Sequence, residues 1–548
     1  AVDGWSLPNY DDRLWSAAAS VPLEGTSYLG TFTNARGQSS SFKYDQLKIS
    51  GQIGENARIV KTLTAQSVQE VRPGVFVYDM GQNMVGFPRI QITGGSKGKA
   101  VTMRYAEVRY PDLSAYGDQV GMVMMENIRA ALTQDEYVLK GGNEVIQPRF
   151  TFHGYRFVEI SGIDRALPPA SVQGLVISSV HGLSSEYKTS NDLVNQLWSN
   201  ITWSLRSNFL SIPTDTPARN ERMGWSGDIN VFSRAATYLA DVNEFFKRHL
   251  LAMRDVQRED GRFTDVAPMG GGFGGTLWGS AGIVVAWEAY QQFGDINILR
   301  EHYDAMKRYV DFLATKIDPS NGVLNEGPLG DWLSPEGNKN DNTLFWTAYY
   351  AYDLDILAKS ADLLGKTADA ADFRKRYAER KQFFNATYVD PNTHKTIKSG
   401  VVTGFMGPPG ERQGNVASEK GLIIDTQASY AIPLALDIFD EQNKPYAIQH
   451  LAATIQRKNT DDSGVERPEY SLMTGFIGTA SLNQALSENG RDDLAYRLLQ
   501  QQTYPSWLYP VKMGATTIWE RWDGIKPDST FQTPTMNSFN HYAYGAIG

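Results

Sequence analysis

Hydrophobic residues in the first third of the chain alternate with polar ones or fall in short clusters, as they do in β-strands. Such runs occur at Val75–Tyr78, Phe87–Ile92, Ala100–Tyr105 and Arg156–Ile160. Turn residues, among them the pair Gly94-Gly95, separate the runs. Short strands between turn signals are typical of a β-sandwich. We therefore predict a β-sandwich over residues 46–188, preceded over residues 1–45 by part of another small β module and a linker.

From about residue 189 the apolar positions recur with the 3.6-residue period of amphipathic helices. Twelve segments show this period: 191–209, 229–239, 242–257, 279–293, 295–316, 342–363, 366–387, 425–437, 441–458, 472–488, 490–503 and 536–548. Tight turns such as Gly294-Asp295 and Asn489-Gly490 join many of them, and such turns place successive helices antiparallel. Six helical hairpins can close into an (α/α)6 barrel, and we predict this fold over residues 189–548.

Composition narrows the class of protein. A chain of 548 residues exceeds the usual size of one hydrophobic core, so the sequence predicts a multidomain protein. The net charge of −9 argues against nucleic acid or an anionic membrane as the main partner, and no apolar run is long enough for a transmembrane helix. The lack of cysteine excludes disulfides and thiolate metal sites. The spacing of His, Asp and Glu indicates no catalytic metal, and we expect no cofactor.

The segment Asp215–Asp228 is the most informative in the chain. Its fourteen residues include three carboxylates, two arginines and a tryptophan: Asp215, Arg219, Glu221, Arg222, Trp225 and Asp228. Carboxylates that are forced close together repel one another, so one of them can hold a proton at neutral pH and serve as a general acid. Guanidinium groups and an aromatic ring beside them suit an uncharged polar ring such as a sugar. The alternative interpretation is a surface loop with ion pairs.

A second segment, Gly514–Asp523, places Glu520 between Trp519 and Trp522, and His541 follows 21 positions after the glutamate. Tryptophans and a histidine close to a lone glutamate are common in carbohydrate clefts, where aromatic faces stack on sugar rings. The alternation of residue types along this segment is also typical of an ordinary strand.

Together with Gly330–Leu333 and Asn540–Tyr542, these two segments resemble the bacterial α-L-rhamnosidases of glycoside hydrolase family 78. Three upstream motifs resemble the β-sandwich domain that precedes the catalytic domain in that family: Asp79–Asn83, Arg104–Glu107 and Phe150–Phe157. The resemblance covers about residues 55–548. It implies hydrolysis of terminal non-reducing α-L-rhamnose from glycosides or polysaccharides, with inversion at the anomeric carbon.

The resemblance also implies residue roles, with Glu221 as the general acid and Glu520 as the general base that activates water. The expected substrate contacts are Asp215, Arg219, Trp225, Asp228, Trp278, Asp331, Trp332, Trp519, Trp522 and His541. Several of the polar contacts would also hold the pKa of the acid high. The structural alternatives are ion pairing for the glutamates, helix capping for the aspartates and core packing for the tryptophans. Relatives often have an aspartate just after the position of Trp278, and Ser280 here puts that sugar contact in doubt.

Two other functions remain open. A polysaccharide lyase can use a helical toroid with an aromatic cleft, but it eliminates, usually with a Tyr or His base, and leaves an unsaturated product. A non-catalytic sugar-binding protein could keep the tryptophans, although the presence of both Glu221 and Glu520 counts against it. The expected partner is a rhamnose-containing glycoside or polysaccharide. We favour a periplasmic or secreted bacterial protein over a cytoplasmic one; the sequence leaves the aglycone and the oligomeric state undetermined.

A glycine cluster and the end of the chain support two further predictions. The glycine cluster Gly270–Gly275 lacks the Gly-Lys-Ser/Thr ending of a phosphate loop, so we predict a flexible loop at the rim of the cleft, with Asp265 as a lesser rim candidate. The last predicted helix, 536–548, has no stop signal and is short for a barrel wall. We therefore expect the chain to be a portion of a longer polypeptide, or a truncated relative whose barrel closes with a short last helix.

Overall fold

The computed structural model describes residues 4–5, 7–19, 31–33, 39–41, 51–129, 131–403 and 419–548. The module predicted over residues 1–45 lies largely outside these residues. Within its described part, β1 (Thr31–Thr33) pairs antiparallel with β2 (Ser39–Ser41).

The first third of the chain is built on an eight-stranded antiparallel sheet. Its strands are β3 (Arg58–Thr64), β4 (Ser67–Arg72), β5 (Val75–Gly95), β6 (Ala100–Ala106), β7 (Gln134–Val138), β8 (Gly142–Ile146), β9 (His153–Ser161) and β10 (Val172–Ser178). The strand order is β3-β10-β5-β9-β6-β7, and β4 and β8 also pair with β5.

The long strand β5 explains how this sheet differs from the predicted sandwich. Its first arm pairs with β4 and β9, and its second arm pairs with β10 and β8. The register with β9 shifts between Asp79 and Met84, where the two arms meet. Two runs predicted as separate strands are therefore one strand, and the described strands form a continuous sheet instead of two distinct sheets.

The chain from Asp192 onward is mainly helical. Its helices are α1 (Asp192–Asn208), α2 (Ser226–Leu239), α3 (Asn243–Asp255), α4 (Thr276–Gly279), α5 (Ala281–Phe293), α6 (Ile296–Ala314), α7 (Asn342–Leu363), α8 (Thr367–Tyr388), α9 (Gln427–Ala435), α10 (Lys444–Gln456), α11 (Phe476–Glu488), α12 (Asp492–Leu499) and α13 (Leu508–Lys512). Two short hairpins interrupt them: β11 (Phe209–Leu210) with β12 (Ile212–Pro213), and β13 (Asn459–Thr460) with β14 (Glu466–Arg467). Every predicted helix except the last is confirmed.

The predicted helix over 536–548 is wrong, because the backbone there bonds to another segment. Ser538 accepts from the amide of Glu520, and the amide of His541 donates to the carbonyl of Ile518. Groups that are used in this pairing cannot form the i to i−4 bonds of an α-helix. A single 3-10 turn, Ala543–Gly545, is the helical element of this stretch.

Burial separates inner helices from outer ones. Helix α7 buries 17 of its 22 residues, whereas its partner α8 buries only Ala370, Phe373, Phe384, Asn385 and Tyr388, so α7 lies inside and α8 outside. The inner helices touch in the sequence α2, α5, α7, α9, α11 and back to α2, and the 3-10 turn near the end of the chain contacts both α2 and α11. None of the helices in the described ranges is both long and apolar enough to span a membrane.

The sheet and the helices meet at two apolar contacts. Trp203 of α1 packs into the core of the sheet. A second cluster joins Tyr110 and Met124 of the sheet domain to residues late in the helical part, including Trp519 and Phe539. The sheet therefore packs directly behind the segment that contains Glu520.

Asp353, inside α7, generates a prediction about stability and pH. Its Oδ2 accepts a 2.6 Å hydrogen bond from Ser280, and burial raises the pKa of its carboxyl well above the ordinary value of 3.8. Above about pH 3.8 the unfolded chain releases this proton, whereas the folded protein keeps it. The contribution of this carboxyl to the free energy of unfolding therefore falls as pH rises. We expect Asp353→Asn to reduce the fall in Tm between pH 5 and pH 8. Parallel Tm curves for the variant and the wild type would contradict this.

Candidate active site

The polar residues of the two informative segments meet in one pocket at the end of the inner helices where α2, α4 and α11 begin. The lining residues are Asp215, Arg219, Glu221, Trp225, Asp228, Phe273, Trp278, Leu329, Trp332, Phe476, Glu520, Met536 and His541. Nine of the twelve catalytic and substrate-contact residues predicted from the sequence are among them. Segments some 300 positions apart in the chain are in direct contact here, as the bond between Arg219 and Glu520 shows.

Arg219 joins the two glutamates. Its Nη1 donates to Oε2 of Glu520 at 3.0 Å, and its Nη2 donates to Oε1 of the same carboxylate at 3.3 Å. Its Nε donates to Oε2 of Glu221 at 3.1 Å. The guanidinium group is buried, and a two-pronged contact to a carboxylate fixes the position of that carboxylate as well as neutralising it.

Glu520 is held as a carboxylate. Burial acts to raise its pKa, but Arg219, His541 and Arg521 outweigh burial and lower the pKa to about 2. The amide of Ser538 donates to its Oε2 at 2.8 Å. This buried carboxylate, bound by three donors, is therefore ionised at neutral pH and has no proton to donate.

Glu221 occupies a different environment, nearer to the solvent. Its side chain is 16% exposed, against 3% for Glu520. Trp225 Nε1 donates to its Oε1 at 2.8 Å, and Arg129 Nη2 donates to its Oε2 at 3.1 Å. Glu221 therefore lies at the open end of the pocket, while Glu520 lies deep inside.

Two aspartates complete the charged cluster. Burial, followed by repulsion from Glu221, raises the pKa of Asp215 well above its usual range, although the amide of Met223 donates to its Oδ1 at 2.9 Å. Burial also raises the pKa of Asp228, against the opposing effect of His541, whose Nε2 lies 2.9 Å from Asp228 Oδ1. The pocket thus offers both proton donors and proton acceptors to a bound ligand.

The remaining wall is apolar and aromatic. Trp278, Trp332, Leu329 and Phe476 are all buried and line the closed part of the pocket. Trp278 fits closely against the start of α2, where a Cβ on Gly227 would lie 2.3 Å from its ring. Charged groups on one side of the pocket suit the hydroxyl groups of a sugar, and flat apolar rings on the other side suit the apolar face of its ring.

Three predicted contact residues do not line the pocket. Asp331 points away from it and accepts from the amides of Gly475 and Gly478 at 2.7 and 2.8 Å, so it stabilises the start of α11. Trp519 packs edge-on against Phe539 in the cluster with the sheet domain. Trp522 donates from Nε1 to the carbonyl of Thr474 and stacks on Tyr544. Both tryptophans are therefore buried in apolar clusters outside the pocket.

Two further residues, His541 and Asp265, lie in positions other than those expected from the sequence. His541 lies in the extended stretch before the last 3-10 turn and not on a closing helix. Asp265 is buried, and it bonds to Arg262 and to the amide of Gly275 instead of facing the pocket. Ser280 donates to Asp353 in α7 and also lies outside the pocket.

Sequence reasoning missed two residues that the sheet domain contributes. Arg129 reaches Glu221 as described, and its Nη2 also contacts the sulfur of Met536 at 3.0 Å. Glu107 is buried behind the site, where its Oε2 accepts from Asn127 Nδ2 at 3.1 Å and from the amide of Phe539 at 3.2 Å. Glu107 ends a motif that carries the family resemblance, but nothing in its local sequence indicates which distant segment it contacts.

Larger cavities exist elsewhere in the described structure. One of 470 Å³ lies between the sheet and Met513–Ile525, and one of 540 Å³ lies beside Trp198 and Tyr496. Neither contains Glu221 or Glu520, so we place the chemistry in the smaller pocket where the titratable groups converge. No group of three or more His, Asp or Glu suited to a metal ion occurs in the described ranges.

Comparisons with known proteins match both halves of the chain. Residues 184–548 match the family described as the bacterial alpha-L-rhamnosidase 6 hairpin glycosidase domain, and residues 69–178 match the bacterial alpha-L-rhamnosidase concanavalin-like domain. An alpha-L-rhamnosidase of Streptomyces avermitilis is 39% identical over 100% of this chain and 46% of its own length. One from Formosa agariphila is 34% identical over 99% of this chain and 53% of its own length. The chain thus spans about half the length of these curated relatives.

Solved structures give the same result. The Streptomyces avermitilis alpha-L-rhamnosidase complexed with L-rhamnose superimposes with a TM-score of 0.81 at 37% identity, covering 100% of this chain and 46% of that one. The alpha-L-rhamnosidase from Dictyoglumus thermophilum also gives a TM-score of 0.81, at 31% identity over 100% of this chain and 55% of that one. A sheet domain followed by a helical six-hairpin glycosidase domain is therefore the architecture of this chain.

The pairing of Arg219 with Glu520 predicts a pH-dependent loss of stability. Arg219→Gln leaves a buried carboxylate without its cation, which typically costs about 3–5 kcal/mol. The folded-state pKa of Glu520, about 2, lies below the ordinary 4.5, so the wild-type gain is present above pH 4.5 and is lost as pH falls toward 2. Denaturant unfolding should show a large difference in the free energy of unfolding between wild type and variant at pH 7. We expect this difference to be smaller at pH 3.

The matched control is the double variant Arg219→Gln with Glu520→Gln, which removes the unpaired charge. We expect it to regain part of the lost free energy of unfolding at pH 7. A double variant no more stable than Arg219→Gln alone, or a loss that is the same at both pH values, would contradict the importance of this pair.

Proposed function

Because the chain belongs to the bacterial α-L-rhamnosidases, we propose that it removes terminal non-reducing α-L-rhamnose from glycosides or polysaccharides by inverting hydrolysis. The observation that supports this most directly is that Glu221 and Glu520 both bond to one buried guanidinium group, that of Arg219. The pocket around them is closed by buried rings at one end, which suits the terminal unit of a glycan.

Glu520 acts as the general base. With a pKa of about 2 it is ionised at neutral pH, and its Oε1 accepts one long bond of 3.3 Å from Arg219. A second lone pair of that oxygen is then available to orient a water and take its proton as the water attacks the anomeric carbon. Inversion needs the two carboxyl groups to stand roughly 6.5–9.5 Å apart, so that this water fits between them and the sugar.

Glu221 acts as the general acid that protonates the departing oxygen. Its place at the open end of the pocket puts it beside the bond to the leaving group. Burial raises the pKa of Asp215, which suits it to donate to a sugar hydroxyl, while Asp228, paired with His541, accepts from one. Trp278 and Trp332 offer apolar faces to the ring and methyl group of the deoxy sugar.

The finer architecture is also a proposal. The helix pairs close into an (α/α)6 barrel over residues 189–548, with the turn Ala543–Gly545 taking the sixth inner position between α2 and α11. Residues 46–188 form the sheet domain, built on the single sheet in which both arms of β5 take part, and residues 1–45 belong to a further β module. The alternative, a lyase with a Tyr or His base, lacks support. His541 is paired with Asp228, and no tyrosine is among the described residues that line the pocket.

Replacing either glutamate tests the assignment of roles. We expect Glu221→Gln and Glu520→Gln to lower kcat on an alkyl rhamnoside by about 10²–10⁴-fold, the usual worth of positioned acid or base assistance. Glu221→Gln should lose much less on a dinitrophenyl rhamnoside, because that leaving group departs without protonation, whereas Glu520→Gln should lose equally on both. Circular dichroism checks that the variants fold. Near-wild-type activity of either variant on the alkyl substrate would remove that residue from the mechanism.

Stereochemistry is an independent check. Inversion should release β-L-rhamnose first, and proton NMR within the first minutes should detect that anomer before mutarotation equilibrates it. Early appearance of the α-anomer would mean retention through a covalent intermediate, and the acid and base pairing would then be wrong.

A further inference from the structure

The open end of the pocket carries one prominent ring, that of Phe273, which is 45% exposed and lines the pocket. We infer that Phe273 forms a wall of a second subsite, which binds a ring-shaped leaving group next to rhamnose. The inference rests on the proposed rhamnosidase activity and assigns to one residue of this chain, Phe273, the contact with the ring of the leaving group.

The position of Glu221 fixes the side on which the leaving group lies. A general acid must reach the oxygen between the sugar and the leaving group, so the leaving group extends past Glu221 toward solvent. Phe273, Trp225 and Met536 are the lining residues on that side that are not buried. The opposite end is closed by buried side chains such as Trp278 and Phe476, which leave no room for a second unit.

The loop that carries Phe273 is built to present it. A Cβ on Gly274 would lie 2.2 Å from the ring of Trp278, and one on Gly272, at φ +94°, would lie 2.5 Å from Cβ of Asp265. The amide of Asp265 donates to the carbonyl of Gly271, and its Oδ1 accepts from the amide of Gly275. The glycines thus let the backbone pack closely on both sides of Phe273, and the loop predicted to be flexible is hydrogen-bonded at each end.

Phe273 and the proposed acid share a neighbour. The rings of Phe273 and Trp225 are 5.3 Å apart at 70°, an edge-to-face contact that fixes both rings. The same Trp225 donates to Glu221 at 2.8 Å. A ring bound against Phe273 would therefore sit beside the acid that protonates its oxygen. Either an aryl group or the apolar face of a pyranose offers the required chemistry.

The test compares kcat/KM for three substrates: methyl, phenyl and glucosyl α-L-rhamnosides. Stacking on one ring is worth about threefold to tenfold in affinity. We expect Phe273→Ala to lower kcat/KM for a ring-bearing substrate by that factor beyond its effect on the methyl rhamnoside, and Phe273→Trp to restore the wild-type ratio. The matched control is Met269→Ala, on the same loop, 62% exposed and outside the pocket, which should leave all three values unchanged.

Each outcome has a defined meaning. A selective fall for the phenyl rhamnoside alone identifies an aryl leaving group, a fall for the glucosyl substrate alone identifies a sugar, and a fall for both supports a site for either ring. An equal fall on all three substrates overturns the inference and leaves the proposed function intact. If the wild type hydrolyses none of them, the proposed function fails and the inference fails with it.

Discussion

One buried cation, the guanidinium group of Arg219, sets the electrostatics of the pocket. It bonds to Glu520 and to Glu221. Two more carboxylates, Asp215 and Asp228, lie close enough for the charges of this cluster to act on their pKa values. A single guanidinium group cannot neutralise every carboxylate of the pocket: the pKa of Glu520, which it contacts through two nitrogens, is lowered, whereas burial raises the pKa values of Asp215 and Asp228. The division of the pocket into a proton acceptor and proton donors follows from where this one charge lies.

The position of that acceptor depends on the sheet domain as well as on the helices. Ser538 donates its amide to Glu520, and the next amide, that of Phe539, donates to Glu107 in the sheet domain. Burial raises the pKa of Glu107 to about 7, so its charge also changes near neutrality. Arg129 adds a direct contact from the same domain to Glu221. The pocket is therefore a joint product of both matched domains, and the sheet is more than an accessory to the helical part.

The amino-acid sequence by itself determined the local structure and the main chemistry. The 3.6-residue period located eleven helices, α1 to α3 and α5 to α12, because burial of one helical face depends on near neighbours in the chain. Glu221, Arg219 and Asp228 were predictable as a group because they lie close together in one polar segment, and Glu520 was predictable from its aromatic surroundings and the family resemblance.

Tertiary structure decided what depends on contacts between distant segments. It placed Trp519 and Trp522 outside the pocket, used Asp331 to stabilise the start of α11, and paired residues 538–541 with the segment around Glu520 in place of a last helix. It also brought Arg129 and Phe273 to the open end of the pocket. Residue type limits what a side chain can do, but its direction and its partners are fixed only when segments hundreds of positions apart pack together, since their hydrogen bonds and burial are satisfied jointly.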